Sequence, residues 1–280
     1  MKKKLLCFIV FILSGYFSEQ AKAQYTPDQI FGFGKEALLG QDYKTAINWL
    51  TQYIQIKTQS SEAYNLRGEA YFGLNNYQSA INDFGTAIQL DPKNIKAYIN
   101  LGILYISQKD YPNAISNLTS AIQNSPGNAV AYFNRGVAYY GNTQNDLAMS
   151  DLDNAIQYDP QISDAYRYKG LINLSQGDSV KGLANFNKAI EINPQNYKAF
   201  FDRAVYFYNK NIYDKALSDL NESIDIYPRN YQALIIRAYI LNSMQEYTLA
   251  LNDLKTAIEI APDMQPKVND FMEQIKLKIR

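Results

Sequence analysis

Four arginines, Arg67, Arg135, Arg203 and Arg237, each have an aspartate sixteen residues downstream, at Asp83, Asp151, Asp219 and Asp253. A planar guanidinium fork meets a carboxylate at two points, so these residue types at one fixed spacing are suited to ion pairing. A row of arginines could instead capture an anionic ligand, but each has an internal partner at hand. Little else in the chain can do chemistry. Its 280 residues include no histidine and one cysteine, Cys7, which removes the usual zinc and copper ligands and the commonest general base. Paired carboxylates would permit hydrolysis, yet no motif sets a nucleophile or base in context. The chain therefore does not read as an enzyme, and neither metal nor cofactor is expected.

The elements that must position these pairs follow from a period. Pro92, Pro126, Pro160, Pro194, Pro228 and Pro262 are spaced by 34 residues without one insertion, which marks a stacked array of small repeats. Placing each proline at the thirty-second position gives repeats at 27–60, 61–94, 95–128, 129–162, 163–196, 197–230 and 231–264. Within a repeat, apolar or small residues recur at the fourth, eighth and eleventh places, as in Tyr64, Gly68 and Tyr71, and again at the twentieth, twenty-fourth and twenty-seventh, as in Ala80, Phe84 and Ala87. Spacings of four and three are those of an amphipathic helix. Each repeat thus predicts an antiparallel helix pair closed by its proline, and residues 265–280 predict a capping helix with Val268, Phe271, Ile275 and Ile279 on one face. The arginines fall at the seventh place and the aspartates at the twenty-third. Both lie equally far from the hairpin turn, so the side chains meet across the two helices. In the first repeat Phe33 and Trp49 take their places.

The start of the chain differs from the rest. Lys2 to Lys4 precede an apolar run from Leu5 to Phe17 and then "SEQAKAQ", the pattern of a signal peptide of residues 1–23 cleaved after Ala23. An uncleaved anchor is the alternative, although the run is shorter than the roughly twenty residues that cross a bilayer as a helix. Cleavage leaves no cysteine, and 23 positive against 26 negative residues, a net −3. That balance gives no reason to expect nucleic acid as a partner. A periplasmic or secreted location follows.

With Tyr64, Arg67, Gly68, Tyr71, Ala80, Phe84, Ala87 and Pro92 at the motif positions, residues 27–264 resemble the tetratricopeptide repeat family, in an exported bacterial form. The resemblance implies an all-α fold, a right-handed superhelical α-solenoid of seven helix-turn-helix repeats plus the capping helix. It also implies a concave face, lined from the fifth, ninth and twelfth places of each first helix, that holds extended peptides or partner helices. Those places give a ligand groove of Phe72, Ile99, Ile103, Ile106, Phe133, Val137, Tyr140, Arg167, Leu171, Phe201, Val205, Tyr208, Ile235 and Tyr239. Asn65, Glu69 and Arg167 are its polar interruptions.

A stripe of this kind should be polar if it faced only water, and contiguous apolar surface marks an interaction site. Adjacent first helices also pack side by side, so each residue fills either the groove or the seam. Some family members grip a C-terminal carboxylate with lysine and asparagine at the fifth and ninth places and asparagine at the next repeat's sixth. Asn100 and Asn134 fit the sixth place, but Asn65 with Glu69, or Ile99 with Ile103, precede them, and that clamp is not assembled. The expected function is a non-enzymatic scaffold for a peptide or protein segment. The alternative is a cell-wall glycan or peptidoglycan fragment held on the same face, with Tyr140, Tyr208 and Tyr239 as stacking candidates among the 24 tyrosines.

Overall fold

A computed structural model describes residues 25–279. The expected signal segment, residues 1–23 with Cys7, lies outside the described residues. Among those described there are fifteen α-helices, one short 3-10 helix and no strand. They fall into two compact units, divided after Gly141.

The N-terminal unit holds α1 (Pro27–Leu39), α2 (Tyr43–Ile56), α3 (Ser61–Gly73), α4 (Tyr77–Leu90), α5 (Ile95–Ser107), α6 (Tyr111–Asn124) and α7 (Ala129–Gly141). In it α1 packs on α2, α3 on α4 and α5 on α6 as hairpins, and each second helix also packs on the next first helix. The C-terminal unit holds α8 (Asn145–Tyr158), α9 (Ser163–Ser175), α10 (Ser179–Ile192), α11 (Tyr197–Asn209), α12 (Tyr213–Ile226), α13 (Tyr231–Ser243), α14 (Tyr247–Ile260) and α15 (Gln265–Ile279). There α9 pairs with α10, α11 with α12 and α13 with α14, and α15 lies on α14.

Each hairpin turns where one residue adopts a left-handed backbone. Gln41, Asn75, Lys109, Thr143, Asn211 and Gln245 have φ between 58° and 66°, and Gly177 has φ 84°. All seven stand at the fifteenth place. An Asp or Asn then caps several of the second helices: Asp42, Asn76, Asp110 and Asp178 each accept a backbone N–H three residues on, satisfying a donor the helix leaves open.

The core of each hairpin is a small residue on the first helix facing a large one on the second. A Cβ added at Gly68 would lie 2.7 Å from the Phe84 ring, and at Gly170 it would lie 2.7 Å from that of Phe186. Both rings are fully buried. Gly182, which stands where the other repeats have alanine, is explained by its neighbour, since a Cβ there would meet Leu174 at 2.6 Å.

The buried stripe of the first helices differs from the one expected. Ala63, Ala70, Ala97, Ala131 and Ala138 at the third and tenth places are completely buried, whereas Tyr64, Tyr71, Tyr98 and Tyr105 are only half-buried. Small residues let the backbones of neighbouring helices approach, and this pushes the rings toward the rim.

A second bond network joins consecutive repeats at the loop. Asn94 caps α5 through Ala97 N–H and donates 2.8 Å to Ser61 Oγ, which itself donates 2.7 Å to the Ala87 carbonyl. Asn196, Ser163 and Ala189 repeat this arrangement. With Tyr197 in the serine's place, Ser223 supplies the hydroxyl from the other helix, donating to the Tyr197 carbonyl and accepting from Asn230.

Candidate functional site

The arginines come first, because they decide how the first helices are held. Arg67 donates through Nε and Nη2 to Asp83 at 2.7 and 2.8 Å, Arg203 to Asp219 at 2.8 and 2.7 Å, and Arg237 to Asp253 at 2.7 and 2.8 Å. The three aspartates are buried. The hydrogen bonds that they donate to Asp83 and Asp253 hold the Arg67 and Arg237 guanidinium groups above their ordinary pKa. Arg135 belongs to the N-terminal unit and Asp151, buried, to the C-terminal one.

Each arginine also has a second partner that sequence reasoning missed. Nη1 of Arg67 donates to Thr51, that of Arg135 to Thr119, that of Arg203 to Asn187 and that of Arg237 to Asn221. These acceptors stand at the twenty-fifth place of the preceding repeat, sixteen residues upstream, as the aspartates stand sixteen downstream. Lys169, at the same place, donates to Asp153, and Gly85 lies sixteen residues before Leu101. At Arg67, Arg203 and Arg237 the cation therefore ties its own hairpin and joins it to the one before. Tyrosines one turn either side flank the guanidinium: Tyr64 and Tyr71 around Arg67 at 5.3 and 5.8 Å, Tyr132 and Tyr139 around Arg135, both at 5.7 Å. In the first repeat Phe33 and Trp49 meet at 5.2 Å, with Tyr25 edge-on to both.

The stripe at the fifth, ninth and twelfth places is half-buried along most of its length. In the N-terminal unit Phe72, Ile103, Ile106, Phe133, Val137 and Tyr140 keep part of their surface open. In the C-terminal unit so do Leu171, Phe201, Val205, Tyr208, Ile235 and Tyr239. Ile103 and Ile106 lean on the core of Ala114, Leu118 and Ala131. Phe201, Tyr208 and Ile235 lean on that of Ala204, Leu220 and Leu234.

Two expected groove residues are not at the surface. Ile99 is 8% exposed and part of the α5–α6–α7 core, so it fills the seam. Arg167, also 8% exposed, donates to Asp164 at 2.9 Å and to Asp202 of α11 at 2.6 Å. Burial works to lower its pKa, but the charge of Asp202, with Tyr168 and Asp164, outweighs it and raises the value. Burial raises Asp202 in turn, against the pull of Arg167. An arginine so enclosed is a tie between repeats and not an open cation. Tyr239 is stacked on Phe271 of α15 at 4.4 Å, so that ring face is taken. Helix α15 buries Val268, Met272 and Ile275 against Ala250 and Leu254, and Ile279, expected on the same face, is 49% exposed.

The stripe opens into one large cleft in the N-terminal unit. It measures about 770 Å³ and is lined by Lys35 and Leu38 of α1, Tyr43 of α2, Glu69 and Phe72 of α3, and Tyr77 of α4. The Glu69 carboxylate is held in place: Asn65 Nδ2 and Asn100 Nδ2 donate to Glu69 Oε1 at 2.7 and 2.8 Å, and Asn100 also donates to Asn65 Oδ1 at 3.1 Å. Glu69 thus occupies the amides that a terminal carboxylate would need. A smaller cleft of about 370 Å³ in the C-terminal unit is lined by Arg167, Tyr197, Phe201 and Arg229 among others. Among the described residues no group of three or more His, Cys, Asp or Glu could hold a metal, and no helix is long and apolar enough to cross a membrane.

The chain matches family models described as TPR repeat, over residues 68–109, and as tetratricopeptide repeat, over 133–197, 174–231, 95–128 and 231–264. Among solved structures, a tetratricopeptide repeat protein from Parabacteroides merdae aligns with TM-score 0.69 at 17% identity, covering 89% of this chain and 98% of that one. The APC/C hetero-tetramer Cut9–Hcn1 gives 0.69 at 14% identity, over 86% of this chain and 54% of that one. MamA from Desulfovibrio magneticus gives 0.55 at 22% identity, over 61% and 96%. At these identities the likeness is one of fold. No curated protein matches the chain.

Proposed function

The chain belongs to the tetratricopeptide repeat family, and from that premise we propose that it is an exported, non-enzymatic scaffold whose first helices receive a peptide or protein segment along their apolar stripe. The observation that carries this function is the 770 Å³ cleft, which Leu38, Phe72, Tyr43 and Tyr77 line together with the fixed carboxylate of Glu69. A concave, mostly apolar site with convergent polar atoms is what a bound segment needs. Burial of apolar surface then supplies the attraction, at roughly 25 cal/mol per Å² before ordering costs. Affinity should depend weakly on salt, because few charges line the stripe.

Export rests on Lys2 to Lys4, the apolar run and the Ala21–Ala23 spacing. Both points are tested together by capture from the envelope fraction of the native cell. The chain recovered should begin at Gln24 and bring down a protein partner. Phe72→Ala and Phe201→Ala should each weaken that partner's binding about tenfold or more, the effect of truncating a buried aromatic anchor. Retention of a glycan with loss of no protein would contradict the scaffold, and a chain still starting at Met1 would contradict cleavage.

A further inference from the structure

We infer that the N-terminal cleft, if it receives a segment as proposed above, selects one carrying a lysine or arginine side chain, which Glu69 takes as its counter-ion. Both amides that bind Glu69 reach the same oxygen, Oε1. They fix the carboxylate without neutralising it, and Oε2 is left to a further donor. Asn65 is 2% exposed, so the group that holds the carboxylate is itself buried. Among the described residues no lysine or arginine is ion-paired with Glu69. The one cation lining the cleft, Lys35, is engaged by other groups: its Nζ lies 3.5 Å from Glu62 and 5.4 Å from the centre of the Phe31 ring.

The walls favour the same occupant. Phe72 and Tyr77, with ring centres 6.0 Å apart, line the same cleft as Glu69. Aromatic faces attract cations, and apolar walls strengthen the pull of a fixed charge by keeping water away. A segment presenting a carboxylate would meet a like charge and find both amides taken. A cationic head on an aliphatic stem suits the place, the stem lying on Leu38 and Phe72 while the head reaches Oε2.

The test is selection of a random decapeptide library, acetylated and amidated so that no terminus is charged, on the intact chain and on Glu69→Gln and Glu69→Lys. Glutamine keeps the shape and still accepts both amides, so that variant should fold. Peptides retained by the native chain should be enriched about tenfold in Lys and Arg over Asp and Glu at one position, the discrimination of one charge-assisted hydrogen bond. Glu69→Gln should lose most of that enrichment, and Glu69→Lys should reverse it. Retention without charge preference, or an order that Glu69→Lys leaves unchanged, overturns cation selection while the groove stands. Retention of no peptide at all overturns the groove as well.

Discussion

Arg203→Leu is expected to destabilise the α11–α12 hairpin by about 3–5 kcal/mol, and Arg203→Leu combined with Asp219→Leu to recover most of that loss. The single change leaves Asp219, 4% exposed, without the guanidinium that meets both its oxygens. An unpaired buried carboxylate costs more than the pair contributes, because burying two charges nearly cancels their attraction. The double change replaces both by apolar groups of fair fit and leaves Asn187 to water, where its exposure already places it. Hydrogen exchange of the α11 and α12 amides is the proper readout, since arrays of repeats open locally. If the double variant exchanges as fast as the single one, the pair does not act as a unit and the arginine matters for another reason.

Gly170→Ala should cost about 1–2 kcal/mol, even though alanine is the better helix former. Helix propensity favours the change by about 0.8–1 kcal/mol, but overpacking costs roughly 1–3 kcal/mol. The new Cβ would lie 2.7 to 3.1 Å from three atoms of the Phe186 ring, which is fully buried and has nowhere to go. Phe186→Leu in the same chain should relieve the clash. The protein itself packs Ala204 with Leu220 and Ala238 with Leu254, all fully buried at the equivalent places. The double variant should therefore melt above the sum of the two single losses. Additive losses would mean that the two residues do not compete for one space.

Much of the fold was legible because the chain repeats its answer. Six prolines in phase fix the length of the unit, and the joint appearance of Arg203 with Asp219, or Phe33 with Trp49, marks which positions meet. The bond from Arg203 to Asn187 was less legible for a definable reason: it leaves the repeat, because the seventh place faces sixteen residues in both directions. The signal existed, since Thr51, Thr119, Asp153, Asn187 and Asn221 precede cations while Gly85 precedes Leu101.

The inner stripe was less legible. Groove and seam share one side of the first helix, and composition does not separate them. Ile99 and Ile103 are alike in type, yet only Ile99 is sealed by its neighbours. Arg167 looked like an open cation because its partner, Asp202, lies in the next repeat at the sixth place, a spacing used by Asn65 and Asn100 and by no motif within one hairpin. The half-buried tyrosines at the fourth and eleventh places pose a related difficulty. Their spacing is that of a buried face, but they flank the arginines while alanines do the packing.

The central claim, that a protein segment lies along the inner stripe, is tested most directly by site-specific photo-crosslinking in the native cell. A benzophenone amino acid is placed at Phe72 or Phe201 on the stripe, and at the exposed Gln89 or Glu222 on second helices. Adducts with the same partner from Phe72 and Phe201, and none from Gln89 and Glu222, are the predicted result. Adducts confined to Gln89 and Glu222 would place the partner on the other face and contradict the account.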